Sequence, residues 1–325
     1  MPVCPASRFL WYSRDPVRSN CTDKRAAHLR GGVVVYAERS GGDCWGRRAM
    51  TVGTLEQPVG GQERRAGVGA FAGLSLLLLA TFLLTPWPLE EKSLAALHGL
   101  CAQRPSHSFW FAGSRLPFDA RMTGIYGAFL LTIGYLAVAG RLRRAGLPRL
   151  PVLLFLAGGV VALGIDGVNA LLQDLRLPTL YEPQNWLRFI TGAWTGTLLG
   201  VVLWIAANAV IWRPGVNSLR AVLDGRRDLL ALALLSAALG WLAMSGWRPL
   251  YWPLALYLVL AAVTLLALLA LPAVQLLRRR EQQIGSLAEI GWPATASLAL
   301  ACAFMVATSG LRFLVESVAG VPPFR

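Results

Sequence analysis

The sequence predicts an all-α, polytopic transmembrane helical bundle of about seven spans, and three observations predict it. Apolar stretches of about twenty residues, the length that crosses a bilayer as a helix, recur along the chain. Basic residues crowd every second gap between them. With 55% hydrophobic residues, 15% charged residues and a mean hydropathy of +0.51, the composition is too apolar for an ordinary soluble domain.

Residues 1–67 are rich in Arg, Gly and polar side chains, show no long helical period and carry 11 basic residues. They read as a disordered basic cytoplasmic tail. No short apolar core with a small-residue cleavage site follows the start, so a cleaved signal peptide is not expected. Met50, followed by the polar lead-in TVGTLEQPVGGQERRAG, offers an alternative start, which would make residues 1–49 an over-extended reading frame. From residue 68 to 325 the chain reads as the transmembrane domain.

The first span runs from Val68 to Thr85 and closes at Pro86-Trp87-Pro88, where the indole suits an interface. The second takes Arg121 to Ala139 and ends against Arg141, Arg143 and Arg144. The third begins near Leu150 and continues to Leu172, carrying Asp166 near its far end. The fourth lies between Trp186 and Trp212, a pair of tryptophans placed as aromatic belts are. Leu229 to Ser245, Trp252 to Leu277, and Trp292 to Gly310, extending toward Val318, supply the remaining spans.

The alternation of charge tests this count. The tail and the gaps 140–149, 213–227 and 278–280 hold 22 Lys and Arg residues, whereas the opposite side holds nine: Lys92, Arg104, Arg115, Arg121, Arg176, Arg188, Arg248, Arg312 and Arg325. The positive-inside rule then puts the amino terminus in the cytoplasm, the carboxyl terminus outside and the long loop 86–120 outside, in the plasma membrane of the cell. The formal charge of +14 is thus a topology signal rather than a nucleic-acid surface. The cytoplasmic arginines, Arg278 to Arg280 among them, read as anchors that also suit anionic lipid. Cys4, Cys21, Cys44, Cys101 and Cys302 contain no CxxC pair and imply no disulfide framework. No internal repeat supports an inverted-repeat transporter.

Loop 86–120 holds an amphipathic piece, LEEKSLAALHGLCAQ, and then RPSHSFWFAGSRLPFDARMTGIYG. The stretch from Cys101 to Gly127 resembles the hallmark of the membrane-protein family known as domain of unknown function 2085. That pattern runs Cys-His-Gln-x-Pro-x-Arg-Ser-Phe, a Gly, Leu-Pro, then Cys-x-Arg-Cys-x-Gly-Ile-Tyr. The chain keeps Cys101, Gln103, Pro105, Ser108, Phe109, Gly113, Leu116, Pro117, Arg121, Gly124, Ile125 and Tyr126. It departs with Ala102 for His, His107 for Arg, and Asp119 and Met122 for the two later cysteines. Asp166-Gly167 and Asn185-x-Leu187-Arg188-x-x-Thr191-Gly192 are similar to the family's second motif. The resemblance implies a bacterial integral membrane protein and no established activity.

In the family pattern three cysteines and a histidine would form a soft-metal or redox group. Only Cys101 of that set survives here, so a substitute set of His98, Cys101, His107 and Asp119 is the candidate for a metal, with His98 and Cys101 on one helical face. Cys101 and His107 of that set could instead serve as a thiolate nucleophile and its base, although no orienting acid is placed by the sequence. The plainer reading makes Cys101, Arg104, His107, Ser108, Asp119 and Tyr126 the polar motif of a wet loop. Nothing in the sequence requires a cofactor.

The charges at helix ends give a stronger signal. Arg121 and Arg188 begin their helices on the outer side, and Asp166 lies about 24 Å along its helix from the cytoplasmic start. All three fall at one depth, where a carboxylate is costly unless paired, so Asp166 is expected to meet Arg121 or Arg188. Asn169 and Gln173 continue a polar stripe on the same face. This set, Arg121, Asp166, Asn169 and Arg188, is either a polar pocket that opens outward or a structural clasp between three helices. Gly192, Gly196 and Gly200 repeat every four residues and form a seam that admits another helix, more naturally within the chain than between copies. Gly69 and Gly73 are a weaker version.

Three functions follow as expectations. Two arginines against one carboxylate suit a protein that binds or transports a small anionic solute. A metal, redox or thiol-based membrane enzyme would use the outer loop. A non-catalytic accessory or assembly protein would dock a partner protein there. No Walker loop, HExxH or GxSxG arrangement occurs in a suitable context, which argues against a familiar enzyme class.

Overall fold

The computed structural model describes residues 25–28, 33–37, 53–54, 61–216 and 218–322. Met1–Gly60 and Gly61–Arg325 form two units. In the first, β1 (Arg25–His28), β2 (Val33–Ala37) and β3 (Gly53–Thr54) pair antiparallel in the order β1-β2-β3, with Ala27 opposite Val35. These strands fall in the stretch expected to be a disordered tail. The rest of that tail up to Gly60, its three cysteines and the alternative start at Met50 lie outside the described residues.

In the second unit, helix α1 (Gly61–Leu84) begins seven residues before Val68, the expected start of the first span. Gln62 to Ala66 are good helix formers, Glu63 complements the helix dipole in the first turn, and Arg64 pairs with Glu289 at 2.9 Å. Gly67 allows that turn to lie directly on Gly291 and Trp292.

Loop 86–120 is folded rather than open. Helix α2 (Leu89–Leu97) is followed by strands β4 (Ser108–Phe111) and β5 (Ser114–Asp119), joined at Ala112 and Gly113, both with positive φ as a tight primed turn requires. Phe111 and Phe118 on the hairpin and Leu97 on α2 are fully buried, in one cluster with Ala255 and Leu258 of the later helix Tyr251–Leu277. The hairpin is therefore a plug on one end of the bundle, held by burial of its aromatic face.

The bundle continues with α3 (Ala120–Val138), α4 (Leu150–Asp174), α5 (Asn185–Ile211), α6 (Arg226–Met244), α7 (Tyr251–Leu277) and α8 (Gly291–Val318). Among the described residues, every helix but α2 is long and apolar enough to cross a membrane, which makes seven spans. The protein is a multi-pass, all-α membrane bundle. Exposed leucines such as Leu76, Leu77, Leu154 and Leu234 suit a lipid surround.

Helices α3 and α5 make the most intimate pair, and the glycine seam explains it. A Cβ on Gly192 would stand 2.2 Å from the Arg121 carbonyl oxygen, and one on Gly196 2.2 Å from that of Ile125. Gly200 faces Thr132 in the same way, so the seam is used inside the chain.

The arginine-rich end is more ordered than anchoring alone demands. Strands β6 (Arg144–Gly146) and β7 (Ser218–Ala221) pair in parallel there. Buried Arg141 donates to Asp228 at 2.7 and 3.0 Å, to Asp224 at 3.0 Å and to the Val222 carbonyl at 2.8 Å. Arg144 also pairs with Asp224, at 2.8 Å. These two arginines therefore tie helices together rather than standing free in solvent.

Candidate functional site

At the opposite end, the hairpin leads directly into α3. Asp119 closes β5 and caps α3, its Oδ1 accepting from the Met122 amide at 2.8 Å. That cap fixes the first turn, in which Arg121 reaches α4: its Nε donates to Asp166 Oδ2 at 3.1 Å, and its Nη2 donates to the same oxygen and to the Asp166 carbonyl at 3.2 Å. Asp166 is 1% exposed and accepts a third donor, the Tyr181 hydroxyl, at 3.0 Å. The carboxylate expected to be paired is thus held by one arginine of the two, together with a tyrosine that the sequence did not single out.

Asn169 does not line the pocket. Its Nδ2 donates to the Tyr181 carbonyl at 2.9 Å and its Oδ1 accepts from the Leu180 amide at 2.7 Å, so it fastens the α4–α5 connection to α4. Burial, followed by the hydrogen bond to Asp166, raises the Tyr181 hydroxyl above its ordinary pKa. Arg121, Asp166, Asn169 and Tyr181 together form a clasp that joins α3, α4 and the α4–α5 connection.

Arg188 stands apart from that clasp. Only 4% exposed in the first turn of α5, it donates to Asn185 Oδ1 at 3.0 Å and to Gln173 Oε1 at 3.5 Å. Its Nε is buried without an acceptor, and it forms no ion pair among the described residues. Beside it opens a cleft of about 220 Å³ whose polar lining is Arg104, His107, Asp119, Arg121, Asp174 and Arg188. The helix-end charges and the loop motif, read separately in the sequence, therefore share one cavity.

Asp174, the last residue of α4, pairs with Arg104 across the rim. Ser108 orients that arginine's backbone by donating to its carbonyl at 3.0 Å. Burial and then the facing charges of Arg188 and Arg104 lower the pKa of His107 below its ordinary value. His107 is accordingly a neutral imidazole at pH 7, able to donate one hydrogen bond into the cleft.

The proposed metal set is not assembled, and among the described residues no group of three or more His, Cys, Asp or Glu side chains comes together to hold an ion. Helix α2 ends at Leu97, so His98 and Cys101 do not continue one helical face. His98 turns away instead, bonded to Gln103 Oε1 at 2.9 Å and Glu316 at 2.7 Å and stacked on Phe313. Cys101 and Asp119, both cysteine positions in the family pattern, do meet, with the thiol donating to Asp119 Oδ2 at 3.4 Å. Burial and then the Asp119 charge push the thiol up to about 12, which leaves it protonated and a poor nucleophile at neutral pH. Tyr126 stacks on Phe118 and supports the hairpin rather than the cleft.

Gln103 is the residue that sequence reasoning undervalued. It adopts a positive φ of 54°, is 1% exposed, and donates to the carbonyls of Leu94 at 2.8 Å and Pro117 at 3.0 Å. It thereby ties α2 to β5 under the cleft, and its only signal in the sequence is its place in the family motif.

No curated protein and no solved structure matches the chain. Residues 101–202, which run from the hairpin through α3 and α4 into α5 and contain every polar residue of the cleft, match the family described as "Predicted membrane protein (DUF2085)".

Proposed function

We propose that the protein lies in the cytoplasmic membrane with this cleft facing outward, and that it binds a small anionic solute there through Arg188. The orientation rests on the charge asymmetry of the sequence, 22 basic residues in the tail and the gaps 140–149, 213–227 and 278–280 against nine in the alternate gaps and the helix ends beside them. The binding rests on one observation: Arg188 is a buried cation, flanks a cavity, has an unused donor and no carboxylate partner among the described residues. A buried donor left without an acceptor costs free energy, and an oxyanion in the cleft would offset that cost through charge-assisted hydrogen bonds. His107 adds a neutral donor to the same cavity.

The test is thermal unfolding of the purified protein with sodium acetate, succinate, phosphate or sulfate at matched ionic strength. A binding anion raises the melting temperature in proportion to the logarithm of its concentration, by the equivalent of about 2.7 kcal/mol at a hundredfold excess over Kd. The rise should vanish in Arg188→Gln. A panel with no stabilising anion, or one that acts equally on Arg188→Gln, overturns the reading.

A further inference from the structure

The charges of the cleft cancel in pairs until two remain. Arg104 is matched by Asp174 and Arg121 by Asp166. What is left among the described residues is Arg188, without an ion-pair partner, and Asp119, whose Oδ1 caps α3 and whose Oδ2 accepts from the weak thiol donor of Cys101. Both line the same cavity. A simple anion would satisfy the first and be repelled by the second.

We infer that the ligand is a small zwitterion of the amino-acid type, its carboxylate on Arg188 and its ammonium on Asp119. This rests on the anion reading and narrows it. A primary ammonium carries three donors and no acceptor, which suits a carboxylate oxygen such as Asp119 Oδ2, whose shown partner is a weak thiol donor. The cleft of about 220 Å³ has room for a small amino acid, being the space of roughly seven waters at about 30 Å³ each. Opposite charges fixed on one site also discriminate: an acid lacking the amino group loses one contact and leaves Asp119 uncompensated.

The experiment measures calorimetric affinities of the full chain in detergent for matched pairs of probes: glycine with acetate, alanine with propionate, and leucine with 4-methylpentanoate. In the wild type the amino acid of at least one pair should bind about fivefold more tightly than its acid, the scale of a partly solvated ion pair. Asp119→Asn keeps a side chain able to cap α3, so it folds, and it should bring that ratio to about one. Arg188→Gln should weaken both members. Acids that bind through Arg188 as tightly as the amino acids, or a ratio unchanged in Asp119→Asn, overturn the zwitterion and leave the anion site standing. Absence of binding by both members of every pair overturns the two together.

Discussion

Arg121 grips Asp166 through two nitrogens, while Arg188 beside them forms no ion pair among the described residues. Clasp and pocket, alternatives in the sequence, thus coexist as neighbours. The clasp sets the spacing of α3, α4 and the connection after α4. The pocket is what remains beside it.

Removing one member of the clasp should be expensive. Asp166→Asn leaves the Arg121 guanidinium without its counter-charge, at about 3 kcal/mol, the lower edge for a broken buried pair because Arg121 keeps some solvent contact. Asp174→Asn breaks an exposed pair with Arg104 and should cost under about 1 kcal/mol. Denaturant unfolding of both variants in one detergent measures the difference, and equal losses would show that the clasp carries no special stability.

The α3–α5 seam is equally open to test. Gly192→Ala and Gly196→Ala each drive a methyl group into a carbonyl oxygen on α3, whereas Gly134→Ala meets nothing within 4 Å. The first two should lose roughly 1 to 3 kcal/mol, as overpacked cores do, and the third should be neutral or slightly stabilising. Because Arg121 lies at the Gly192 contact, Gly192→Ala should also weaken anion binding.

Topology can be read with thiol chemistry, though not from Cys101. That thiol is buried and held near pKa 12, so maleimide should modify it slowly at pH 7 and faster as the pH rises. Ala102, its exposed neighbour, is the better probe. In a variant with all five native cysteines replaced, Ala102→Cys should react with a membrane-impermeant maleimide in intact cells. Protection in cells with reaction in inside-out vesicles would invert the orientation.

His107 gives the pH dependence. Its folded pKa lies below the ordinary 6.5, so the unfolded chain takes up the proton first as pH falls. The folded state is therefore fully favoured above about pH 6.5 and loses stability below it. His107→Gln should lose less stability than the wild type between pH 7 and pH 5. An anion beside the ring raises its pKa, so binding to the wild type should tighten over the same interval, with proton uptake measurable by calorimetry in two buffers. Identical pH profiles for variant and wild type would remove His107 from the site.

The spans were legible because hydropathy and alternating charge act over whole helices, and Val68, Arg121 and Trp186 sit within a few residues of, or inside, the observed starts. The pairing of Asp166 was legible in kind, since depth along a helix follows from residue number. Its choice of Arg121 over Arg188 was not, because side-chain direction depends on the Asp119 cap and the Gly192 contact. The hairpin was missed: Phe109, Phe111, Leu116 and Phe118 alternate as a strand pair does, but the polar residues among them read as a wet loop. Tyr181 and Asp228 were also beyond reach, as partners brought by tertiary folding to Asp166 and Arg141.

The most direct test of the anion site is to see the anion. Crystals grown with bromoacetate, whose bromine scatters anomalously, should show a peak inside the cleft with the carboxylate on Arg188. That peak should be absent from Arg188→Gln crystals prepared identically. Bromoacetate bound elsewhere, or an undiminished peak in the variant, would contradict the account.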